Sequence, residues 1–414
     1  MYGLIGEKLG HSFSKEIHES IQDYEYELIE IAREDFDSFL KEINFKALNV
    51  TIPYKELIIP YLDYISPKAK EIQAVNTVVN KNNKLYGYNT DYLGLKKLIE
   101  FNNIDLKNKK VLILGTGGTS KTASVVAKDL NAKEILKVSR NKKDNIITYD
   151  EAINNHNDCD IIINATPCGM YPNDDLIMDI SNFNNLEAVI DVIYNPLNSK
   201  LLREAKKKKI KAVNGLYMLV AQAVYASYIF IDKEVEEEKI EEVYNKILKQ
   251  KQNIVLIGMP SCGKSTIAKK LSKVFKKKVV DTDVLIEKKL KMPISSFLNK
   301  DNENEFRDIE SEVVNEVSMQ NNNIISTGGG VIKRLENIDK LKMNGIIFFI
   351  DRSLELLQTT SSRPLSSNIN DLRNLYEQRY NIYVNCADYV IKNNDKLENV
   401  IKEIVEVYNE NFSN

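Results

Sequence analysis

The sequence predicts an α/β fold built on parallel sheets, with more than one domain. Short apolar segments that predict strands alternate with helix-compatible segments, which is typical of parallel sheets covered by helices. Two glycine-rich loops, beginning at Gly115 and Gly258, each follow such an apolar segment directly. At 414 residues the chain is also too long for one ordinary core, so we expect two to three domains.

The composition is that of an ordinary globular protein, with 43% hydrophobic and 28% charged residues. The net charge of −2 argues against a general nucleic-acid binder, which would carry a strong basic excess. No segment reaches the roughly 18 consecutive apolar residues that a membrane span requires. Four cysteines without a pairing pattern, and an N-terminus without a secretory signal, lead us to expect a cytoplasmic protein.

The first 92 residues predict short strands at 2–6, 26–31 and 47–51, with a helix that starts at Ser14. A polar turn near residues 107–110 then introduces a compact apolar strand at 111–114, which leads into the first glycine loop.

Further strands are predicted at 134–139, 161–164 and 189–192, and an apolar helix at 216–231. A highly charged helix at 234–251 is the expected linker, because a new strand and the second glycine loop follow from residue 254. The sequence therefore predicts a domain boundary near residue 250.

The first loop, Gly115-Thr-Gly-Gly-Thr-Ser120, fits a dinucleotide fingerprint, with Ser120 in place of the third glycine. The next predicted strand ends in Ser139-Arg140. Folds that select NAD usually place an acidic residue there to bind the ribose 2′-hydroxyl, whereas arginine suits the 2′-phosphate of NADP. The sequence therefore favours NADP; the alternative is that Arg140 is a surface residue of a turn.

Reduction of a carbonyl by hydride also requires a proton donor, and a lysine oriented by a carboxylate can serve. Two polar segments outside the glycine loop contain such groups, Lys55 in the first and Asp91 in the second. Taken alone, Lys55 would be a surface lysine and Asp91 a helix N-cap.

Several segments of this half, taken in order, resemble shikimate dehydrogenase over roughly residues 1 to 245. The matching segments are Gly6…His11-Ser12-Phe-Ser14, Asn49-Val-Thr-Ile-Pro-Tyr-Lys55, Ala74-Val-Asn-Thr77, Asn89-Thr-Asp91, Gly115-Thr-Gly-Gly-Thr-Ser120, Asn164-Ala-Thr166, Asp191-Val-Ile-Tyr194-Asn-Pro196 and Gly215…Met218-Leu-Val-Ala-Gln222.

This resemblance implies reduction of 3-dehydroshikimate with NADPH, with Lys55 and Asp91 as the catalytic pair. The implied substrate contacts are Ser12, Ser14, Thr51, Asn76, Tyr194 and Gln222. The expected cofactor contacts are Gly115, Gly117, Gly118, Thr119, Ser139, Arg140 and Gly215. The resemblance also implies a substrate-binding domain at residues 1–92 with 214–245, and a Rossmann-like NADP-binding domain at 93–213.

The second loop, Gly258-Met-Pro-Ser-Cys-Gly263-Lys264-Ser265-Thr266, fills every position of the P-loop pattern. Its backbone amides can hold phosphates, Lys264 can reach the β and γ oxygens, and Ser265 can ligate Mg²⁺. We therefore expect ATP and Mg²⁺ to bind here. The expected nucleotide contacts are Gly258, Ser261, Gly263, Lys264, Ser265 and Thr266.

Further polar segments follow the P-loop in a fixed order. They are Asp281-Thr-Asp283, Glu305-Phe-Arg307…Glu310, Thr327-Gly-Gly-Gly330, Arg363-Pro-Leu365 and Arg379…Tyr383. Considered singly, Arg307 would be a helix-surface residue and Asp283 a helix cap. Together with the P-loop, these segments resemble shikimate kinase over residues 252 to about 410.

The second resemblance implies a P-loop α/β domain, similar to nucleoside-monophosphate kinases, over residues 252–414. Asp283 would hold the acceptor hydroxyl, Asp281 would support Mg²⁺, and Arg307 and Arg379 would clamp the substrate carboxylate with the bidentate geometry that lysine lacks. Gly328, Gly329 and Gly330 would let the backbone approach the substrate ring, and Arg363 would be a lid arginine over the phosphates. Lys264, Asp283 and Arg363 are the expected catalytic residues.

We therefore expect a bifunctional enzyme that makes shikimate and then phosphorylates it, with small-molecule substrates and neither nucleic acid nor membrane as a partner. The sequence leaves the oligomeric state open. One alternative keeps the folds but changes the substrates, to quinate and another small hydroxylated acceptor. A second is a nucleotide-sensing or scaffolding protein with degenerate sites, although the charged residues that the two resemblances require are all present.

Overall fold

A computed structural model describes residues 1–10, 12–143, 145–298, 302–357 and 369–412. The chain forms two compact units, Met1–Ile247 and Leu248–Asn414. The predicted α/β class with parallel sheets is confirmed.

The first unit begins with a mixed sheet whose strand order, in the described residues, is β2-β1-β3-β5-β6-β4. Its strands are β1 (Tyr2–Gly6), β2 (Tyr26–Glu30), β3 (Ala47–Val50), β4 (Tyr64–Ile65), β5 (Thr77–Lys81) and β6 (Lys84–Tyr88). The accompanying helices are α1 (Ser14–Ile21), α2 (Phe36–Glu42), α3 (Tyr54–Leu57), α4 (Pro67–Ile72) and α5 (Thr90–Phe101).

This first sheet differs from the expected parallel arrangement, because β5 runs antiparallel to both β3 and β6. The turn between β5 and β6 contains Asn82 and Asn83, which both have positive φ angles of 55° and 59°. Two consecutive positive φ angles are the mark of a two-residue hairpin turn, and asparagine tolerates them well. The Asn-Asn pair was therefore the local signal for this hairpin.

The second sheet of the unit is parallel and has the order β12-β11-β10-β7-β8-β9 in the described residues. Its strands are β7 (Lys110–Leu114), β8 (Glu134–Ser139), β9 (Ile146–Thr148), β10 (Ile161–Asn164), β11 (Ala188–Asp191) and β12 (Lys211–Val213). Its helices are α6 (Gly118–Asp129), α7 (Tyr149–Asn155) and α8 (Lys200–Lys207). The strand order reverses between β7 and β10, which is where doubly wound sheets bind their ligands.

Helix α9 (Leu216–Phe230) leaves the second sheet and returns to the first. Thirteen of its 15 residues are buried, which agrees with its nearly continuous apolar sequence. It packs tightly against α5 at Gly94, where a Cβ atom would lie 2.6 Å from the carbonyl oxygen of Met218. The charged helix α10 (Glu238–Lys251) follows, and its buried Ile240, Val243 and Ile247 are spaced for one helix face.

The second unit is built on a parallel sheet with the order β14-β15-β13-β16-β17 in its described residues. Its strands are β13 (Asn253–Ile257), β14 (Lys278–Asp281), β15 (Asn323–Ser326), β16 (Gly345–Asp351) and β17 (Tyr389–Lys392). Its helices are α11 (Lys264–Phe275), α12 (Thr282–Leu290), α13 (Ile294–Phe297), α14 (Glu303–Ser318), α15 (Leu335–Leu341), α16 (Ile369–Cys386) and α17 (Leu397–Glu410).

Strand β13, which precedes the P-loop, is central in this sheet and fully buried, as are most residues of β15 and β16 on either side of it. Such continuous burial explains why these strands are uninterrupted apolar runs rather than alternating ones. In the part of the chain that the structure describes, no helix has the length and hydrophobicity needed to cross a membrane.

The close crossing of α5 and α9 yields a stability prediction. Gly94→Ala should destabilise the first unit by about 1–3 kcal/mol, the usual cost of overpacking, because the new methyl group would collide with the Met218 backbone. Thermal unfolding followed by circular dichroism measures this. Gly10→Ala is the matched control, since a Cβ there has no atom within 4 Å; equal midpoints for the two variants would contradict the packing argument.

Candidate active sites

A cavity of about 610 Å³ opens in the first unit and is lined by residues of the first sheet and by loops that follow strands of the second. Loops that follow β1, β3, β10 and β11 contribute to it, together with the first turns of α5 and α9. The predicted site residues that line it are Ser12, Ser14, Thr51, Lys55, Asn76, Asp91, Thr119, Tyr194, Gly215 and Gln222.

Lys55 and Asp91 meet in this cavity although 35 residues separate them in sequence. Nζ of Lys55, on α3, donates to Oδ2 of Asp91, in the first turn of α5, over 2.6 Å. The side chains are only 16% and 10% exposed, so water competes weakly for the bond. Asp91 is not the helix cap; Asn89 holds that position and accepts from the Tyr92 amide. The carboxylate is therefore available to orient the lysine.

A buried network of amides and hydroxyls borders this ion pair. Oδ1 of Asn76 accepts from the Thr90 amide at 2.7 Å and from the Thr77 hydroxyl at 3.0 Å, which fixes the orientation of its amide group. Its Nδ2 then donates to Thr90 and to Oε1 of Gln222. Gln222 comes from α9, so the tight packing at Gly94 brings it to the network.

At the other side of the cavity, the Ser12 hydroxyl donates to the Ser14 hydroxyl at 3.0 Å. Phe13 lies between them in sequence, and its ring packs against that of Tyr194 with centroids 5.2 Å apart. Burial raises the pKa of the Tyr194 phenol, so this group remains a hydrogen-bond donor.

The first glycine loop lies at the carboxyl end of β7, the innermost strand beside the switch point. Gly115 has φ of +109°, a conformation that favours glycine. A Cβ atom on Gly117 would meet nothing within 4 Å, so an open space faces the N-terminus of α6. Helix N-termini present unpaired amides to such spaces, which fits a pyrophosphate.

Ser120 occupies the third position of the fingerprint for a physical reason. Its side chain is fully buried, and its hydroxyl donates to the Gly115 carbonyl oxygen at 2.7 Å. The serine hydroxyl therefore stabilises the loop through a hydrogen bond, whereas the usual glycine at this position only permits close packing. The same loop reaches the ion pair, since a Cβ on Gly118 would lie 3.7 Å from Cδ of Lys55.

Ser139 ends β8, the strand beside β7, and Arg140 follows it with an exposed side chain. Residues 139–143 contain no acidic side chain, so a negatively charged 2′-phosphate would meet no repulsion from this segment. These residues fit NADP.

The second glycine loop joins β13 to α11 in the second unit. Gly258 and Gly263 have φ angles of +148° and +96°, and Ser261 has +64°. Nζ of Lys264 donates to the carbonyl oxygens of Gly258 and Met259, both at 2.9 Å, and so lies over the loop. Thr266 lies in the first turn of α11. This backbone geometry fits a chain of phosphates.

Asp281 and Asp283 make different contacts at the end of β14. Asp281 caps α12, and its Oδ2 accepts from the Ser265 hydroxyl at 2.8 Å. A hydroxyl and a carboxylate beside a P-loop are suitable oxygen ligands for Mg²⁺. Asp283 instead faces the second group of glycines, where a Cβ on Gly328 would lie 2.5 Å from its Oδ1.

Two buried arginines complete the second site. Arg307 is 5% exposed and donates to Glu310 and Glu303, and a Cβ on Gly330 would lie 2.2 Å from its Nη1. Arg379 is 4% exposed and donates through Nη1 to the Gly329 carbonyl oxygen. Burial raises the pKa of the Glu310 carboxyl group, although Arg307 opposes the shift.

Several polar atoms in this cluster lack a hydrogen-bond partner among the described residues. They are Nε and Nη2 of Arg379, Nε of Arg307 and Oε1 of Glu310. Because unpaired buried N–H groups are costly, the three arginine nitrogens fit a bound anionic ligand such as a carboxylate, whereas the Glu310 oxygen does not. The expected lid residue, Arg363, lies outside the described residues.

The fold and geometry define a two-part protein: a dinucleotide-binding oxidoreductase with a lysine–carboxylate pair, and a P-loop phosphotransferase with an acceptor site rich in arginine. Comparisons with known proteins give the families. The family model for the shikimate dehydrogenase substrate binding domain matches residues 4–78, and the model for shikimate kinase matches residues 260–409.

Similar proteins cover the first part of the chain. A shikimate dehydrogenase (NADP(+)) from Clostridium perfringens is 40% identical over 267 residues, covering 59% of this chain and 98% of that protein. The crystal structure of shikimate dehydrogenase 1 from Peptoclostridium difficile is 40% identical with a TM-score of 0.56, covering 59% of this chain and 97% of that one. A chorismate mutase/shikimate 5-dehydrogenase fusion protein from Clostridium acetobutylicum is 38% identical with a TM-score of 0.56, covering 59% and 96%.

The chain belongs to the shikimate dehydrogenase family, and a shikimate kinase domain follows the dehydrogenase in the same polypeptide.

Sequence reasoning did not single out every residue that the structure places at the sites. Thr90 and Thr77 lie inside matched segments, yet only their partners were named as contacts. Glu310 lies in a segment that resembles shikimate kinase, but no role was predicted for it. Its i,i+3 spacing from Arg307 on a helix nevertheless indicates an ion pair between the two side chains. Met170 and Tyr171 line the cavity from a loop whose sequence carries no comparable signal.

Buried Asp191 yields a prediction about pH. It accepts from Asn164, Ser199 and the Ile193 amide, and burial raises its pKa from 3.8 to about 6 despite these bonds. A carboxyl group whose folded pKa is raised stabilises the fold at low pH and loses that contribution as pH rises through about 6. Asparagine can replace the protonated acid in this network.

Between about pH 4.5 and 7.5, wild type should therefore lose about 2 kcal/mol of unfolding free energy relative to Asp191→Asn. Urea unfolding of both proteins, followed by circular dichroism at each pH, measures the difference. A stability difference that does not change with pH would contradict this account.

Proposed function

We propose that the first unit reduces 3-dehydroshikimate to shikimate with NADPH, and that the second phosphorylates shikimate to shikimate 3-phosphate with MgATP. The observation that carries this proposal is the fusion itself. The two families matched by one chain use the same metabolite, as product of the first and substrate of the second. The direction of the first reaction follows from this order.

NADPH, when bound, supplies the hydride that reduces the substrate ketone. In our proposal Nζ of Lys55 gives the proton to the resulting alkoxide oxygen, and Asp91 holds the lysine in place through the 2.6 Å bond. The close approach of the glycine loop to Lys55 supports this role, because it brings the cofactor-binding helix beside the proton donor. Ser12, Ser14, Thr51, Asn76, Tyr194 and Gln222 are the proposed substrate contacts.

MgATP, when bound, supplies the phosphoryl group for the second reaction. We propose that Asp283 accepts the hydrogen bond of the acceptor hydroxyl and aligns it, while Arg307 and Arg379 bind the substrate carboxylate with their buried N–H groups. Nζ of Lys264 would exchange its hydrogen bonds to the loop carbonyls for bonds to the phosphates. Ser265 and Asp281 are the proposed ligands of Mg²⁺. Positioning and charge neutralisation account for most of the catalysis in such transfers.

We also propose the finer domain division within the first unit, with residues 1–92 and 214–245 binding the substrate and residues 93–213 binding NADP. The two separate sheets support it. We place the protein in the cytoplasm, since none of its four cysteines forms a disulfide, as is usual in a reducing compartment.

The overall proposal is tested by incubating the chain with 3-dehydroshikimate, NADPH and MgATP, followed by mass spectrometry of the products. We expect shikimate 3-phosphate. Shikimate without its phosphate would contradict the kinase half. No product from folded protein would contradict the dehydrogenase half; a parallel reaction with quinate and NADP⁺ would then reveal a quinate oxidoreductase, and added shikimate would test the kinase half by itself.

Two substitutions should separate the two reactions. Lys55→Met should lower kcat of the reduction about 100- to 10,000-fold, the usual contribution of a positioned acid, and leave phosphorylation of added shikimate unchanged. Asp283→Asn should do the reverse. Spectrophotometric assays of NADPH consumption and coupled assays of ADP release measure the two rates. Loss of both activities in either folded variant would contradict the assignment of independent sites.

Cofactor selection should depend on Arg140. Arg140→Ala removes the proposed partner of the 2′-phosphate, so KM for NADPH should rise about 10- to 100-fold while KM for NADH stays within about twofold. Lys142→Ala is the matched control, because this neighbouring basic side chain is paired with Glu151. Equal effects of both substitutions would indicate general attraction of anions rather than recognition of the phosphate.

A further inference from the structure

We propose that Tyr383 is a positioning residue of the kinase acceptor site, acting through the carbonyl oxygen of Gly329 and the side chain of Arg379. The inference deepens the proposed kinase function and rests on it. Tyr383 itself does not belong to the proposed set of substrate contacts.

Gly329 is the residue at which α16, the glycine segment and the P-loop meet, and its carbonyl oxygen accepts two hydrogen bonds. The Tyr383 hydroxyl donates to it at 2.5 Å, and Nη1 of Arg379 donates to it at 2.9 Å. Both donors lie on α16, one turn apart and therefore on one face. On its other side, a Cβ on Gly329 would lie 2.8 Å from Cδ of Pro260 in the P-loop. The glycine segment is thus fixed between α16 and the P-loop.

These two bonds determine how the glycine segment presents its amides. The C=O of Gly329 and the N–H of Gly330 belong to one trans peptide unit, in which they point in opposite directions. Holding the carbonyl towards α16 therefore directs the Gly330 N–H away from that helix. Gly330 itself packs against the Arg307 guanidinium, so the orientation of this peptide also affects the other buried arginine.

The same junction determines which edge of Arg379 can bind a ligand. Nη1 is occupied by the Gly329 carbonyl, whereas Nε and Nη2 have no partner among the described residues. Nε and Nη2 form one edge of the planar guanidinium, with two nearly parallel N–H bonds that match a carboxylate. Because the bond at Nη1 already holds the guanidinium in place, binding a carboxylate at this edge costs no further conformational freedom of the Arg379 side chain.

Packing alone does not require the hydroxyl group of Tyr383. The side chain is fully buried in the apolar core and stacks on Phe349, with centroids 5.0 Å apart and planes 13° apart. Phenylalanine would keep this stacking and the buried area. Burial also raises the pKa of the phenol well above its usual value, so the group donates its hydrogen bond across the working pH range.

The test compares Tyr383→Phe with Tyr380→Phe in the full chain, using shikimate and MgATP. Tyr380 is the matched control because it lies on the same helix and contacts the same Phe349 ring, while its hydroxyl group lies 3.4 Å from Asp351 instead of a glycine carbonyl. For Tyr383→Phe we expect KM for shikimate to rise about 5- to 20-fold, with KM for ATP within about twofold, since one buried hydrogen bond that orients the site is lost. Tyr380→Phe should resemble wild type.

A substrate analogue separates positioning from general destabilisation. With shikimate whose carboxylate is replaced by a hydroxymethyl group, wild type and Tyr383→Phe should have similar KM values, because the clamp has no carboxylate to bind. In addition, combining Tyr383→Phe with Arg379→Lys should raise KM by less than the product of the single effects, since both act through one carbonyl.

The outcomes are distinguishable. An unchanged KM for shikimate in Tyr383→Phe, or an equal rise in KM for ATP, would overturn the inference. If wild type itself does not phosphorylate shikimate, the proposed function fails instead. Should Tyr383→Phe not fold, Tyr383→Met lacks the hydroxyl in the same way and carries the same expectations.

Discussion

Both sites depend on one constraint: in a parallel sheet, the carboxyl ends of neighbouring strands lie at the same edge. The strand–glycine–helix units at Gly115 and Gly258 each occupy a central strand, so a helix N-terminus with unpaired amides faces the loops of the adjacent strands. In the second unit Asp281 and the glycines after β15 lie at that edge, whereas Lys55 and Asp91 of the first unit approach the glycine loop from the mixed sheet, where they follow β3 and β6. Each unit thus has a glycine loop that fits phosphates beside a group of polar side chains.

The polar side chains of the two candidate sites differ in charge. The first combines the Lys55–Asp91 ion pair with neutral amides and hydroxyls that bond to one another, as the bonds of Asn76 with Thr77, Thr90 and Gln222 illustrate. The second uses buried charges, with Arg307 paired to Glu310 and Arg379 left with an unpaired edge. Because unpaired buried N–H groups are costly, the unpaired edge of Arg379 fits an anionic ligand.

Glycines allow the close contacts between elements that form both candidate sites. Gly94 permits the crossing of α5 and α9 that brings Gln222 to the first site, and Gly328 and Gly330 permit the contacts with Asp283 and Arg307 in the second. In each case a Cβ atom would lie under 3 Å from the neighbour. Because glycine has no side chain, the two elements can approach each other closely at these contacts. Side chains that are far apart in sequence are thereby brought together.

The sequence by itself determined the α/β class, the two phosphate loops and the two families, because strand–loop–helix motifs are local and their spacing is fixed by backbone geometry. Its motifs also indicated the residues that are proposed for the two sites. Only the tertiary structure decided the close crossing of α5 and α9 at Gly94, the bond between Asn76 and Gln222, and the junction at Gly329. These features depend on which hydrogen-bonding groups burial leaves close together, and that is set by packing across the fold rather than by neighbours in sequence.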